Sequence, residues 1–190
     1  MESRRGEPVS QNGALHKINV AFLASLPNEH AYNSRVRKNV MGHTYTTIRL
    51  HVVFSTQGRK ALITPEAQTR LWEYIGGLGK NHDIPIHEIG GIENHVHILM
   101  SVPPTITVSK TIQTLKAYSS KWMNEGVMKT GRFAWQEGYA AFSVSQSNVE
   151  KVAEYIRGQA EHHKKQAFED ELKSLLVRNG VSFDERYVLG

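Results

Sequence analysis

Apolar residues recur with two different spacings along this chain, and the spacing changes several times. A period of two is typical of strands, whereas a period of three to four is typical of amphipathic helices. Glycine, proline and capping residues separate these stretches. The predicted elements are, in order, a strand over 44–54, a helix over 65–81, strands over 84–89 and 93–102 with a turn at Gly90-Gly91, a helix from Thr107 or Ser109 to about 125, a strand over 133–144, a helix from a capping box at 147–150 to about 168, and a helix over 169–179.

In this order the elements form a β-α-β-β-α-β unit followed by C-terminal helices. The order predicts an α+β, ferredoxin-like (RRM-like) fold, an antiparallel sheet with helices on one face, plus the C-terminal helices. We expect the other face of the sheet to stay open for a ligand or a partner. RNA-binding modules, metal chaperones and nucleases all use this fold, so the fold alone does not define a function.

The first 40 residues differ from the rest of the chain. Residues 1–40 are rich in Asn, Ser, Arg and Gly and have no sustained period, so we expect a poorly ordered extension. Met41 directly precedes the first predicted strand and is a candidate for the true start of the protein. Residues 41–190 are expected to form a single catalytic domain of ordinary size.

The composition excludes several classes of protein. The chain has no cysteine, which excludes a disulfide scaffold, a thiolate zinc site and a cysteine nucleophile, and which fits a cytoplasmic protein. No apolar run approaches the roughly 18 residues needed to cross a bilayer, so no membrane association is expected. The net charge of +5 is weak support for nucleic-acid binding, because residues 1–40 contribute +3 of it (six Lys/Arg against three acids).

Two short motifs about sixty residues apart carry the candidate chemistry. On a strand, His95 and His97 point to one face and Val96 points to the other. On a helix, Tyr155 and Gln159 lie one turn apart on the same side. Two imidazoles, a carboxamide oxygen and a phenol could hold a divalent metal ion beside a nucleophile, which suggests phosphodiester chemistry with a covalent tyrosine intermediate.

Each motif also has a structural interpretation. Two exposed strand histidines on either side of a core valine are common, and a tyrosine on an amphipathic helix is usually half-buried packing. His162 and His163 follow Gln159 within one helical turn, and His162 shares the side of Tyr155. This clustering favours the functional interpretation over the structural one.

Seven short segments in this order resemble the single-tyrosine HUH transposases of small insertion sequences, the IS200-like group, which act on single-stranded DNA. The resemblance runs from about His43 to Tyr187. The segments are 43–46, 51–56, 94–99, 116–122, 135–139, 141–145, and 155–159 with His162-His163.

The resemblance implies a role for each residue of the two motifs. His95, His97 and Gln159 would bind Mg²⁺ or Mn²⁺, and Tyr155 would attack the scissile phosphate. The attack would leave a 5′-phosphotyrosine link and a free 3′-hydroxyl, which later rejoins strands. The resemblance also implies single-stranded DNA with hairpin ends as partner, and a homodimer with composite active sites. The spacing leaves open whether Tyr155 acts in cis or in trans.

One position departs from the pattern of the family. Relatives commonly carry an acidic residue just before the first histidine, whereas this chain has Asn94. Asn94 can still accept a hydrogen bond but adds no charge. If the residue before His95 orients its imidazole or raises its basicity, the loss of the charge would weaken metal binding.

Basic residues along the second half of the chain are candidates for contacts with DNA phosphates. Most surface lysines are only solvated, so this prediction is weaker than that of the metal ligands. The candidate DNA-binding residues are Lys116, Lys121, Arg132, Arg157 and Lys164, with Trp135, Tyr139 and Phe142 as candidates for stacking on unpaired bases.

Three alternatives to a mobile-element transposase remain open at this point. A domesticated relative would use the same chemistry on repeated genomic hairpins. A non-catalytic nucleic-acid-binding ferredoxin-like module would not depend on Tyr155 or on the histidine pair. A metallohydrolase that uses only water would cleave DNA without forming a protein–DNA adduct.

Overall fold

The computed structural model of the chain describes residues 45–184. The extension predicted over 1–40 and the start predicted at Met41 lie outside this range. The strands are β1 (Arg49–Ser55), β2 (Ile86–Ile92), β3 (His95–Ser101) and β4 (Ala140–Ser143). The helices are α1 (Pro65–Asn81), α2 (Val108–Gly126), α3 (Val149–Arg157), α4 (Gln159–His162) and α5 (Phe168–Arg178).

The four strands form one antiparallel sheet in the order β2-β3-β1-β4. Strands β1 and β3 occupy the centre, and each half of the β-α-β-β-α-β unit contributes one central and one edge strand. This arrangement confirms the predicted α+β, ferredoxin-like fold.

Both long helices begin at a threonine cap. Thr64 accepts a hydrogen bond from the backbone N–H of Ala67, with Pro65 in the first helical position. Thr107, the first of the two predicted caps, accepts from the N–H of Lys110. The bounds predicted for α1 are confirmed.

Helices α1 and α2 pack on one face of the sheet. Because side chains alternate along a strand, every second residue of β1 and β3 faces these helices. The residues so placed are Leu50, Val52, Phe54, Val96, Ile98 and Met100, all of them buried. They form the main core together with Leu71, Ile75 and Leu78 of α1 and Ile112 and Leu115 of α2.

The C-terminal helices cover the second face. Leu99 of β3 packs with Ala153 and Ile156 of α3, and Val53 of β1 packs with Phe168 of α5. The expectation that this face stays open is therefore wrong, because the apolar stripes of α3 and α5 are buried on it. Any site between the sheet and these helices is enclosed rather than open.

The hairpin turn lies at Glu93-Asn94, and not at Gly90-Gly91 as predicted. Both glycines belong to β2 because they pair with His97 and Val96 of β3. Each one also meets backbone that leaves no room for a side chain. A Cβ on Gly90 would lie 2.1 Å from the carbonyl oxygen of Ile156. Gly91 has a φ of +153°, which favours glycine.

The predicted long helix from 147 to 168 is interrupted. Helix α3 begins at Val149 without a side-chain cap, so the predicted capping box does not form. It ends at Arg157, and Gly158 separates it from the short α4. The strand predicted over 133–144 is likewise reduced to β4 and an isolated bridge between Thr56 and Trp135.

The close approach of α3 to β2 gives a stability test. We expect Gly90→Ala to lower the free energy of unfolding by about 2–3 kcal/mol, because the added methyl group overlaps the Ile156 carbonyl. Gly76→Ala is the matched control, since nothing lies within 4 Å of a Cβ on this α1 residue. It should stabilise the protein by up to about 1 kcal/mol through helix propensity. Urea unfolding of both variants checks this, and equal effects would contradict the close packing.

Candidate active site and metal centre

Strand β3 turns both of its histidines toward the second face, beneath the C-terminal helices. His95 and His97 are 0% exposed, so the alternative of exposed strand histidines is excluded. Nδ1 of His95 lies 2.7 Å from Oδ1 of Asn94. Nδ1 of His97 lies 2.9 Å from Nε2 of His51 on the neighbouring strand. Asn94 thus supplies the hydrogen-bond acceptor that sequence analysis expected of it.

Tyr155 and Gln159 lie over these histidines, at the end of α3 and the start of α4. The helix break at Gly158 does not separate them, because both side chains donate to the same carboxylate oxygen of the C-terminal helix. The Tyr155 ring lies edge-on to His97, with ring centroids 6.0 Å apart. Oε1 of Gln159 lies 3.4 Å from Nε2 of His95. The four side chains therefore lie together in the structure.

The carboxylate at the centre of this group belongs to Glu171 of α5, which sequence analysis did not single out. Its Oε1 accepts the two hydrogen bonds just described and lies 3.5 Å from Nε2 of His162. Its Oε2 lies 3.1 Å from Nε2 of His163, 3.3 Å from Nε2 of His97 and 3.7 Å from Nε2 of His95. The carboxylate thus contacts both of the predicted motifs.

A sequence signal for Glu171 exists. Phe168, Glu171 and Leu175 are spaced three and four residues apart and form the buried side of α5. A glutamate inside an otherwise apolar helical stripe is rarely buried unless it is paired or binds a metal. Glu171 is 1% exposed, so its position in the stripe marks it as a site residue.

Burial keeps the strand histidines neutral. It lowers the pKa of His51 and of His95 to about 3, and the neighbouring His97 adds to both shifts. The pKa of His97 is lowered by burial as well. Neutral imidazole is the form that binds metal ions.

The pKa values of the Glu171 carboxyl and of the neighbouring Tyr155 phenol shift in opposite directions. Burial would raise the pKa of this carboxyl, but contacts with His163 and His97 hold it well below its usual range. Burial raises the pKa of the Tyr155 phenol, and the hydrogen bond to Glu171 raises it further. The nearest polar partner of the Tyr155 hydroxyl is therefore an anion, which opposes ionisation of the phenol.

A metal ion fits this set of donors. His95, His97, His163 and Glu171 each offer one ligand atom, and the four atoms lie within 4.8 Å of one another. Nε2 of His97 is buried without a hydrogen-bond partner among the described residues. Buried imidazoles with a free nitrogen beside a carboxylate are a common arrangement for binding divalent ions. The group could therefore hold a metal ion.

Three of the five candidate DNA-binding residues line one cavity of about 1210 Å³ between α2 and the segment 131–139. Lys121 and Arg132 are exposed there. Lys116 instead donates to the carbonyl oxygens of residues 136–138, and burial lowers its pKa to about 8. Lys116 therefore fixes the wall of the cavity, which leaves its ammonium group less available to a phosphate.

The other two candidates, Arg157 and Lys164, lie outside this cavity. Arg157 pairs with Glu88 at 3.0 Å and with Glu150 at 2.6 Å. Lys164 pairs with Glu161 at 2.6 Å. Their charges are thus partly offset by neighbouring carboxylates, although these exposed pairs are screened and weak.

In the part of the chain that the structure describes, no helix is long and apolar enough to cross a membrane.

Fold and site together define a protein with a buried cluster of histidines, tyrosine and carboxylate on a ferredoxin-like sheet. The family model described as "Transposase IS200 like" matches residues 44–159. The chain belongs to the IS200-like transposase family, and its general function is that of a transposase.

Individual relatives agree with this assignment. The transposase for insertion sequence element IS200 of Salmonella typhimurium (strain LT2) is 28% identical over 129 residues, which are 65% of this chain and 84% of the relative. The corresponding transposase of Salmonella typhi matches to the same extent.

One solved structure shares the fold, and a second is similar over part of its length. A crystal structure of a candidate transposase from Deinococcus radiodurans R1 aligns with a TM-score of 0.51 at 19% identity, over 63% of this chain and 96% of its own. The structure of a REP-associated tyrosine transposase bound to a REP hairpin aligns with a TM-score of 0.49 at 12% identity, over 65% of this chain and 73% of its own.

Proposed function

We propose that this transposase cleaves and rejoins single-stranded DNA by metal-assisted transesterification, with Tyr155 as nucleophile and a 5′-phosphotyrosine intermediate. His95, His97 and Gln159 are the proposed metal ligands. One observation carries the proposal: the Tyr155 hydroxyl and the inward nitrogens of both histidines meet at one buried carboxylate. A nucleophile beside a candidate metal centre is the geometry that phosphoryl transfer requires.

The chemical step exchanges one phosphodiester for another. The Tyr155 hydroxyl loses its proton and its oxygen forms a bond to phosphorus. The bond between phosphorus and the 3′-oxygen breaks, and that oxygen takes up a proton to become a free 3′-hydroxyl. Because the new link is again a phosphodiester, the reverse attack by a 3′-hydroxyl rejoins DNA without an external energy source.

A bound Mg²⁺ or Mn²⁺ would polarise the phosphate and offset the charge that builds up on it. The residues of this chain prepare the site for that role. The buried histidines are kept neutral, and the amide of Gln159 places its oxygen 3.4 Å from Nε2 of His95. In the structure, the proton of Tyr155 is hydrogen-bonded to Glu171. The helices over the sheet bury His95, His97 and Gln159, which would keep bulk water away from the reacting atoms.

The cavity lined by Lys116, Lys121 and Arg132 is the proposed path for the DNA strand. Trp135 of the cavity wall pairs with Thr56, which directly follows β1. The last residue of β1, Ser55, pairs with His95. The Trp135 wall of the cavity and the candidate metal centre therefore reach the same end of the sheet, with α2 on the first face and the metal centre on the second. Lys121 and Arg132 would contact phosphates there, and the exposed ring of Tyr139 would stack on a base.

A homodimer is also part of the proposal, although one chain supplies every residue of the site in this structure. Single-stranded DNA with hairpin ends is the proposed substrate. An exchange of helix α3 between two chains would preserve the contacts of Tyr155 while making the sites composite.

The test uses labelled single-stranded oligonucleotides that cover the DNA flanking the gene. They are incubated with the protein and Mn²⁺ or Mg²⁺ and are separated on denaturing gels. We expect a protein–DNA adduct that forms from single strands, that duplexes of the same sequence do not form, and that EDTA prevents. Metal-dependent cleavage without an adduct would contradict the proposal and would indicate a nuclease that uses water.

A further inference from the structure

We infer that Glu171 and His163 are two further metal ligands beside His95, His97 and Gln159, so that this chain binds its ion with three imidazoles, one carboxylate and one amide oxygen and prefers a transition-metal ion to Mg²⁺. The inference rests on the proposed metal site at His95 and His97 and extends it to helix α5 and to the turn that precedes this helix. Neither residue belongs to the two motifs that predicted the site.

The distances among the donor atoms fit one shared ion. Oε2 of Glu171 lies 3.1, 3.3 and 3.7 Å from Nε2 of His163, His97 and His95. Ligands bound at about 2.1 Å to one ion lie roughly 3.0–3.4 Å apart in octahedral or tetrahedral geometry. The three separations from the carboxylate are near this range, and all four donor atoms lie within 4.8 Å of one another, so side-chain movements would bring them onto one ion.

Outer contacts orient each imidazole so that Nε2 faces the centre. Nδ1 of His163 lies 2.8 Å from the carbonyl oxygen of Gln166, and this contact requires Nδ1 to carry the proton. Nδ1 of His97 lies 2.9 Å from Nε2 of His51, which can act as donor or acceptor. Nδ1 of His95, by contrast, faces the Oδ1 acceptor of Asn94, as Nδ1 of His163 faces the carbonyl oxygen of Gln166. Such partners fix the tautomer of metal-binding histidines and direct the free nitrogen to the ion.

The carboxylate then needs positive charge beside it. The Oε2 atom of Glu171 faces Nε2 of His95, His97 and His163. If these nitrogens carry lone pairs, they and the carboxylate oxygen would repel one another, because burial removes the screening by water. The other polar contacts of this carboxylate come from neutral donors, the Tyr155 hydroxyl and the Gln159 amide, and from His162. A divalent ion shared by the four donors relieves this repulsion, and in its absence protons must do so.

The donor set determines which ion is preferred. Mg²⁺ favours oxygen ligands and loses its bound water reluctantly, whereas imidazole nitrogen suits Mn²⁺, Co²⁺ and Zn²⁺. The third imidazole, that of His163, therefore adds to the selection against Mg²⁺ that two imidazoles already provide. Glu171 also connects the ion to the nucleophile, since its second oxygen accepts from Tyr155.

The test measures metal binding directly, with the full chain and without DNA. Mn²⁺ binding is followed by the loss of the aqueous Mn²⁺ EPR signal, and Zn²⁺ and Mg²⁺ are added as competitors. Glu171→Gln and His163→Gln should each weaken Mn²⁺ binding at least about 10-fold. The matched control is Asp170→Asn, which removes an exposed carboxylate from the same helix and should bind as wild type does. Mg²⁺ should displace Mn²⁺ only at an excess of about 100-fold or more, and Zn²⁺ without an excess.

A second measurement needs no variant and so does not depend on whether a variant folds. X-ray absorption of the Zn²⁺-loaded wild-type protein counts the imidazoles on the ion, and we expect three. Two imidazoles, or unchanged Mn²⁺ affinity in both folded variants, would overturn the inference and leave the proposed function in place. The two proposals can also fail separately. If Mn²⁺ binds tightly and depends on Glu171, but the protein forms no adduct with DNA, this inference is supported and the proposed function is contradicted.

Discussion

Tyr155→Phe is expected to abolish the covalent adduct and to lower strand cleavage by at least about 1,000-fold, because the variant lacks the only atom that can bond to phosphorus in the proposed step. The ring and its packing against His97 are retained. The lost hydrogen bond to Glu171 should cost only about 1 kcal/mol of stability, so the variant should remain folded. Metal binding should persist, and this separates loss of the nucleophile from loss of the site.

A second tyrosine offers the matched control for this experiment. Tyr74 of α1 is half-buried like Tyr155, but it stacks on Trp122, in the helical layer packed on the opposite face of the sheet. Tyr74→Phe should form the adduct at the wild-type rate. If Tyr155→Phe still formed an adduct, a different residue would be the nucleophile and the proposed mechanism would be wrong.

His97→Gln is expected to weaken Mn²⁺ binding and to lower adduct formation by about 100-fold or more, because it removes a nitrogen that faces the candidate metal centre. Glutamine fills part of the buried space and can still bond to His51. Raising the Mn²⁺ concentration should restore part of the activity, since the defect is one of affinity. Adduct formation is measured across a Mn²⁺ titration for the variant and the wild type.

The control for this variant is a histidine of the neighbouring strand. His87 of β2 is exposed and hydrogen-bonds to Ser101 at 2.8 Å, away from the cluster. His87→Gln should titrate with Mn²⁺ as the wild type does. A His97→Gln variant with the wild-type dependence on Mn²⁺ would contradict the assignment of His97 as a metal ligand.

The strand pattern predicted most of the fold because period-two alternation is a local property. His95 and His97 share a face for the same reason that Val96 and Ile98 share the other face, and the observed register bears this out. The family resemblance is confirmed by the match over residues 44–159. The assigned roles of the site residues stay predictions.

The elements that were predicted wrongly depend on contacts between distant residues. Gly90-Gly91 has the composition of a turn, but both residues pair with β3, and the Ile156 backbone, 66 residues after Gly90, leaves no room for a side chain there. The long predicted helix is interrupted after Arg157, and Gly158 lies between α3 and the short helix that begins at the buried Gln159. Such tertiary contacts override local preference, and a single sequence does not contain their distances.

Within the site, the position of Glu171 also depends on tertiary contacts that a single sequence does not contain. Its place in the buried stripe of α5 could be recognised from the sequence. Its convergence on His97 and Tyr155 could not, because it depends on how α5 packs across the second face. The bond between Lys116 and the carbonyls of 136–138 was missed for a similar reason, since its partners belong to an irregular segment.

The most direct test of the central claim is to identify the amino acid that becomes linked to DNA. The adduct formed with Mn²⁺ is trapped by denaturation, the DNA is trimmed with nuclease, and the peptides are sequenced by tandem mass spectrometry. The account predicts a nucleotide attached through its 5′-phosphate to Tyr155. A nucleotide on any other residue, or metal-dependent cleavage with no modified peptide, would contradict it.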